Sequence, residues 1–164
     1  MTLTLPTIYP AGYQGTATDF KACKADRSGA LRMVEYVVAI PSGTTTALVG
    51  LVPFNKGCRI HIIGSSVQAN TALDTGTSIA VSVGYTYYDS TLGTSSGTAF
   101  VSSATTWQSS ALTALTLLNA PATVGQVKTT ADGWITLTCS SGTTSTTGNV
   151  FGSFMISYDQ DPSV

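Results

Sequence analysis

Short apolar runs with a two-residue period dominate this chain. Val34, Tyr36, Val38 and Ile40 alternate with Met33, Glu35 and Val37 before Pro41, Ser42 and Gly43 turn the chain, the pattern of a strand with one face in a core. A second apolar segment, Ala47 to Val52, stops at Pro53. Asn55, Lys56 and Gly57 then turn into a strand with Cys58, Ile60 and Ile62 on one face and Arg59, His61 and Ile63 on the other. The phase changes at Gly64, because the next apolar positions are Val67 and Ala69, and a bulge there accounts for the shift. In Ser78 to Tyr88, Ile79, Val81, Val83, Tyr85 and Tyr87 face one way and Ala80, Ser82, Gly84 and Thr86 the other, which reads as a strand central in its sheet. Asp89 to Gly97 reads as a loop. In Ala99 to Leu118 helix competes, with Trp107, Ala111, Leu112, Leu115 and Leu118 at mixed spacing, so a short helix is expected near Ser103 to Ser109. Beyond Pro121 come three strands, Thr123 to Thr129, Trp134 to Cys139 and Asn149 to Tyr158. The last two are joined by Ser140 to Gly148, a polar loop read as too flexible to hold a site by itself.

Seven or eight short strands with turn signals between them predict an all-β fold, an antiparallel β-sandwich or jelly-roll-like domain over residues 31–164. A parallel sheet would need intervening helices. Residues 1–30 show no sustained period and read as an extended N-terminal arm, carrying Leu3, Leu5, Ile8, Tyr9, Tyr13 and Phe20 among Pro6, Pro10, Gly12 and Gly15. A floppy terminus is normally poor in aromatics, so the arm is expected to dock, on its own domain or on a neighbour. Those six side chains are the candidate partner contacts.

Composition narrows the function. Ser and Thr make up 47 of the 164 residues and charged residues only 9%, against about a quarter in ordinary domains. Threonine fits the half-exposed face of a pleated sheet, and an exterior with so little charge suits coverage by another protein. The formal net charge of −1 and the lack of any Lys/Arg cluster exclude the electrostatic footprint of a nucleic-acid binder. No apolar run approaches the roughly 18 residues that span a bilayer. Met1 through Pro6 lacks the pattern of a signal peptide. Three well-separated cysteines, Cys23, Cys58 and Cys139, fit no disulfide framework and read as free buried thiols in a reducing cytosol. None of the four asparagines opens a glycosylation sequon.

Candidate chemistry is sparse. Gly93, Ser95 and Gly97 match the spacing of a nucleophile elbow, but that motif needs a strand-to-helix turn and a histidine later in the chain. The sole histidine, His61, lies upstream. Alternation puts it beside Arg59 on a face toward solvent or an interface. A metal site needs several converging ligands, and no spacing here supplies them. Asp159 and Asp161, near the C-terminus, are the one close acidic pair, and Glu35 is the sole glutamate, too little for a paired-carboxylate glycosidase. For sugar binding, Tyr85 and Tyr87 fall in phase with the core, leaving Tyr88 and Trp107 as candidate exposed contacts. No catalytic residue and no cofactor is expected.

The order of segments carries a resemblance. An extended arm leads to Glu35-Tyr36-Val37-Val38-Ala39-Ile40, then to Leu51-Val52-Pro53-Phe54-Asn55-Lys56-Gly57-Cys58-Arg59-Ile60. Next come Ile79-Ala80-Val81-Ser82-Val83-Gly84-Tyr85, a Tyr-Asp loop, Trp134-Ile135-Thr136-Leu137-Thr138 and Gly152-Ser153-Phe154-Met155-Ile156-Ser157-Tyr158. This series, spanning most of residues 31–158, resembles the head decoration (cement) proteins of tailed bacteriophages. The resemblance implies a β-sandwich or jelly roll on the exterior of a capsid, made in the host cytoplasm and binding the major capsid protein. It also implies self-association as homotrimers or dimers, and no catalytic residues. In that setting the arm residues become capsid contacts. A tail or fibre component contacting a host receptor, and a carbohydrate-binding module, are the alternatives.

Overall fold

The computed structural model describes residues 31–43, 48–74, 79–108, 115, 117 and 125–158. The arm, Cys23, Asp159 and Asp161 lie outside the described residues. Eight strands form from the described chain: β1 (Arg32–Ile40), β2 (Leu48–Phe54), β3 (Cys58–Ala69), β4 (Ala80–Tyr87), β5 (Ser96–Ala104), β6 (Gln126–Lys128), β7 (Gly133–Ser141) and β8 (Gly148–Tyr158). They build two four-stranded sheets, in the orders β1-β8-β3-β6 and β2-β7-β4-β5, and every pairing is antiparallel. The expected β-sandwich is thus the observed one.

The order has a simple origin. β1 pairs β8, β2 pairs β7, β3 pairs β6 and β4 pairs β5, as in one long antiparallel ribbon bent at the β4–β5 end. Rolling that ribbon brings β8 against β3 and β7 against β4, leaving two sheets face to face. Between them lies one core, with Ile40, Phe54, Ile60, Phe100, Trp107, Ile135 and Leu137 fully buried. Aromatic rings run through it, Tyr36 stacking on Phe154 at 5.8 Å and Phe100 tilted against Phe154 at 6.1 Å.

The bulge expected at Gly64 is present. Pairing runs from His61 opposite Met155 to Ser66 opposite Ser153, so five steps of β3 are matched by two of β8. Gly64 takes a φ of 86° there, which disfavours a side chain. The central position of β4, between β7 and β5, is also as read.

Elsewhere the elements depart from the sequence reading. β2 continues through Pro53 to Phe54, tolerated because β2 is an edge strand and its proline need not donate on the open side. The short helix expected near Ser103 to Ser109 is present as one 3-10 turn, Thr106–Gln108, and the Asp89 to Gly97 loop is present up to Ser95; what the reading missed is strand β5 between them. Periodicity failed at β5 because Ala99, Phe100 and Val101 are buried in succession. Between Ser96 opposite Tyr85 and Val101 opposite Val83, five steps of β5 face two of β4, so the strand bulges out of phase. The described part of the Thr123 to Thr129 segment pairs only over Gln126–Lys128. The Ser140 to Gly148 loop is pinned rather than free: Thr144 is buried and its hydroxyl donates to the Pro41 carbonyl at 2.8 Å. Ser145 donates to the buried Asp74 carboxylate at 3.0 Å, and the Gly43 N–H donates to the Thr144 carbonyl at 2.7 Å.

Candidate interaction surface

The residues that could carry covalent chemistry do not meet. Ser95, in the loop after β4, accepts a hydrogen bond from the Tyr87 N–H at 3.0 Å, whereas His61 sits on β3 in the opposite sheet. His61 Nε2 is 2.8 Å from the Ser157 hydroxyl on β8. Burial pushes the Cys58 thiol up to about 12 and the Cys139 thiol up to about 11, so both stay protonated and unreactive at neutral pH. Among the described residues no group of three His, Cys, Asp or Glu side chains is placed to hold a metal ion, and no helix is long and apolar enough to cross a membrane. Asp89 is held below the usual carboxylate range by hydrogen bonds from the Thr91 side chain and backbone, the arrangement of an exposed turn. Glu35 is exposed.

The sugar-contact reading loses one of its two residues. Trp107 is 0% exposed and belongs to the core, while Tyr88 is half-buried. The spacing around Trp107 was ambiguous because the ring enters the core from a 3-10 turn rather than from a regular strand.

What remains is surface, and the two sheets differ in it. On the β1-β8-β3-β6 sheet, opposed residues point the same way, so the register fixes which side chains share the outer face. One row is Met33, Met155, His61 and Gln126, the next Glu35, Ser153 and Ser66, the next Val37, Phe151 and Gln68. None of these ten is buried. Met33 and Val37 are 60% and 59% exposed on the edge strand β1, with Phe151 and Met155 half-buried beside them on β8. Ile63, 81% exposed, projects from the β3 bulge. Exposed apolar side chains on a long edge strand are a surface prepared for contact. Sequence alternation had assigned Met33, Val37 and Ile63 to the outer face. Met33 and Val37 meet Met155 and Phe151 because β1 pairs with β8, which no local pattern reveals. The six arm residues Leu3, Leu5, Ile8, Tyr9, Tyr13 and Phe20 lie outside the described residues.

By sequence, no known family and no curated protein matches the chain. By structure, it is similar to a chain of the cyanophage Pam1 capsid asymmetric unit, with a TM-score of 0.55 and 22% identity over 80% of this chain and 86% of that one. The likeness is one of fold. It extends across the greater part of both chains, so the sandwich as a whole is shared rather than a single hairpin.

Proposed function

We propose that the protein is a non-enzymatic structural component of a bacteriophage virion that decorates and cements the capsid exterior by binding major capsid subunits. The contact would be the outer face of β1-β8-β3-β6. The observation that carries this reading is the exposed apolar group Met33, Val37 and Ile63, on a chain with few charges whose fold is similar to that of a phage capsid chain. Two four-stranded antiparallel sheets rolled from one ribbon support a jelly-roll reading, an architecture used in viral capsid domains. A lattice presents the same site many times, so modest contacts per copy suffice when copies associate as trimers or dimers. Low charge helps, since burying unpaired charge between subunits costs more than burying hydroxyls that can satisfy backbone groups.

Capsids stripped of the protein, incubated with it and sedimented, should bind it at a fixed number of copies per shell. Val37→Asp should weaken that binding at least about tenfold, equal to ~1.4 kcal/mol. Absence of the protein from intact virions by mass spectrometry would sink the proposal. A copy number set by the tail rather than the shell would move it to a tail or fibre role.

A further inference from the structure

The edge of a sheet presents unpaired backbone N–H and C=O groups, and folded proteins blunt such edges with short strands, bulges, prolines or charge. Among the described strands the two sheets end in four edges, β1 and β6 on one sheet and β2 and β5 on the other. Three of them are blunted. β6 is three residues long and carries the exposed Lys128. β2 shifts register between Gly50 and Val52 and contains Pro53. β5 shifts register twice against β4, and Ser103 within it takes a left-handed φ of 50°.

β1 has none of these devices. Its nine residues pair with β8 one for one from Arg32 to Ile40, with no register shift and no proline. From Met33 to Ile40 the one charged side chain is Glu35. Both faces of the strand are apolar beside the edge, with Met33 and Val37 exposed on the outer face and Val34 half-buried on the inner one. In a chain that guards its other described edges, a long unguarded edge is a place for strand addition.

The strand itself points to the occupant. Joining two copies edge to edge takes one open edge from each, and β1 is the open edge among the described strands, so the contact is β1 to β1. Such a contact uses the same surface on both copies and closes at two, whereas a contact between unlike edges would grow into a filament. Symmetry also restricts the register. Opposed side chains of an antiparallel pair share a face, so the two-fold axis must pass where one residue stands opposite its own copy. Centred on Tyr36, the middle of the strand, the pairing uses all nine residues, and any other centre shortens the ladder. A centre on Glu35 would also set two carboxylates directly opposite, which is destabilising. The Tyr36 centre instead puts Glu35 opposite Val37 and Met33 opposite the exposed Ala39 on the outer face, and Val34 opposite Val38 on the inner face. A net charge of −1 leaves little repulsion between two copies.

We infer that two copies of this chain join by antiparallel pairing of β1 with β1 about a two-fold axis at Tyr36, so that one sheet runs through both sandwiches. A strand of this length at ~3.4 Å per residue makes a seam ~30 Å long. A seam one strand deep falls at the small end of specific interfaces, below about 1,200 Å². The outer faces of the two copies then lie side by side, and their Met33 and Val37 side chains form one surface. The inference rests on the sheet edges, independently of the capsid reading, and its test needs no capsid.

Sedimentation equilibrium of the full chain up to ~200 µM should give a monomer–dimer equilibrium, with a dissociation constant on the order of 10 µM for so small an interface. Val37→Glu sets a carboxylate opposite Glu35 of the second copy at two symmetry-related places and should weaken the dimer about fivefold. Val37→Lys, at the same exposed site, should dimerise at least as tightly as the natural chain. Combining Glu35→Lys with Val37→Glu should restore the dimer that Val37→Glu weakens. Opposite responses to the sign of the charge mark the register, because loss of an apolar contact alone would weaken both variants alike. Hydrogen exchange should slow in residues 32–40 as concentration rises, while exchange in β6 stays unchanged. A chain that stays monomeric at the highest concentration, a trimer, equal weakening by Val37→Glu and Val37→Lys, or protection gained outside residues 32–40 alone would each overturn the inference.

Discussion

At the scale of single residues, the junction of β1, β3 and β8 is the most constrained place in the described chain. The Tyr36 hydroxyl, on an almost fully buried ring, donates to the Ser66 carbonyl at 3.1 Å where the β3 bulge ends. Gly152 stands opposite Tyr36 and Val67 with a φ of 155°, and a Cβ there would strike that same Ser66 carbonyl. Tyr36→Phe keeps the stacking on Phe154 but removes the hydroxyl donor to the part-buried Ser66 carbonyl. Denaturant unfolding should show a loss of about 1–2 kcal/mol. Gly152→Ala should cost more, because the new methyl meets backbone rather than a side chain that can swing away. If Gly152→Ala unfolds at the same denaturant concentration as the natural chain, the close approach of β8 to Ser66 is wrong.

At the scale of elements, legibility tracked regularity. β1, β4, β7 and β8 were readable because each keeps its period over most of its length, and the Gly64 bulge was readable because a glycine marked the phase change. β5 was not, since three buried residues in a row and two bulges remove the alternation that identifies a strand. Trp107 was misplaced because its ring enters the core from a 3-10 turn rather than from a regular strand. The outer contact face was half legible: alternation named Met33, Val37 and Ile63, but only the pairing of β1 with a strand more than a hundred residues away gathers Met33 and Val37 with Met155 and Phe151. The pinned 142–147 segment was illegible, because a run of Ser, Thr and Gly reads as a free loop until its hydrogen-bond partners are known. Its buried hydroxyl is testable: Thr144→Val keeps the volume and removes the donor to Pro41, and should cost about 1–2 kcal/mol in chemical unfolding. A Val37→Asp protein, by contrast, should melt within ~0.5 kcal/mol of the natural chain, because the site is exposed. The two variants separate what holds the sandwich together from what its outer face offers to others.

At the scale of the whole molecule, the rolled ribbon makes the first described strand wait for the last: among the described strands β1 forms its ladder with β8, so the core cannot close until nearly all the chain is available. Closure then seals ionisable groups contributed by both sheets. Cys58 on β3 and Cys139 on β7 are fully buried, and their thiols move from 9.0 up to about 12 and about 11, with desolvation as the cause. The Tyr36 hydroxyl is pushed up in the same way. In each case the folded state prefers the protonated form, so the unfolded chain releases its protons first as pH rises. The stabilisation is complete below pH 9.0 and drains away between there and about 12. Urea midpoints should therefore hold steady from pH 7 to 8 and fall at an increasing rate above pH 9. Cys58→Ala with Cys139→Ala starts from lower stability because of the space left behind, but its midpoint should fall less steeply over the same alkaline range. Parallel slopes for the two proteins would mean that the thiols do not titrate with unfolding. Rapid thiol labelling of the folded protein at pH 8 would make the same point directly, because a sandwich closed by its terminal strands should expose Cys58 and Cys139 only when it opens.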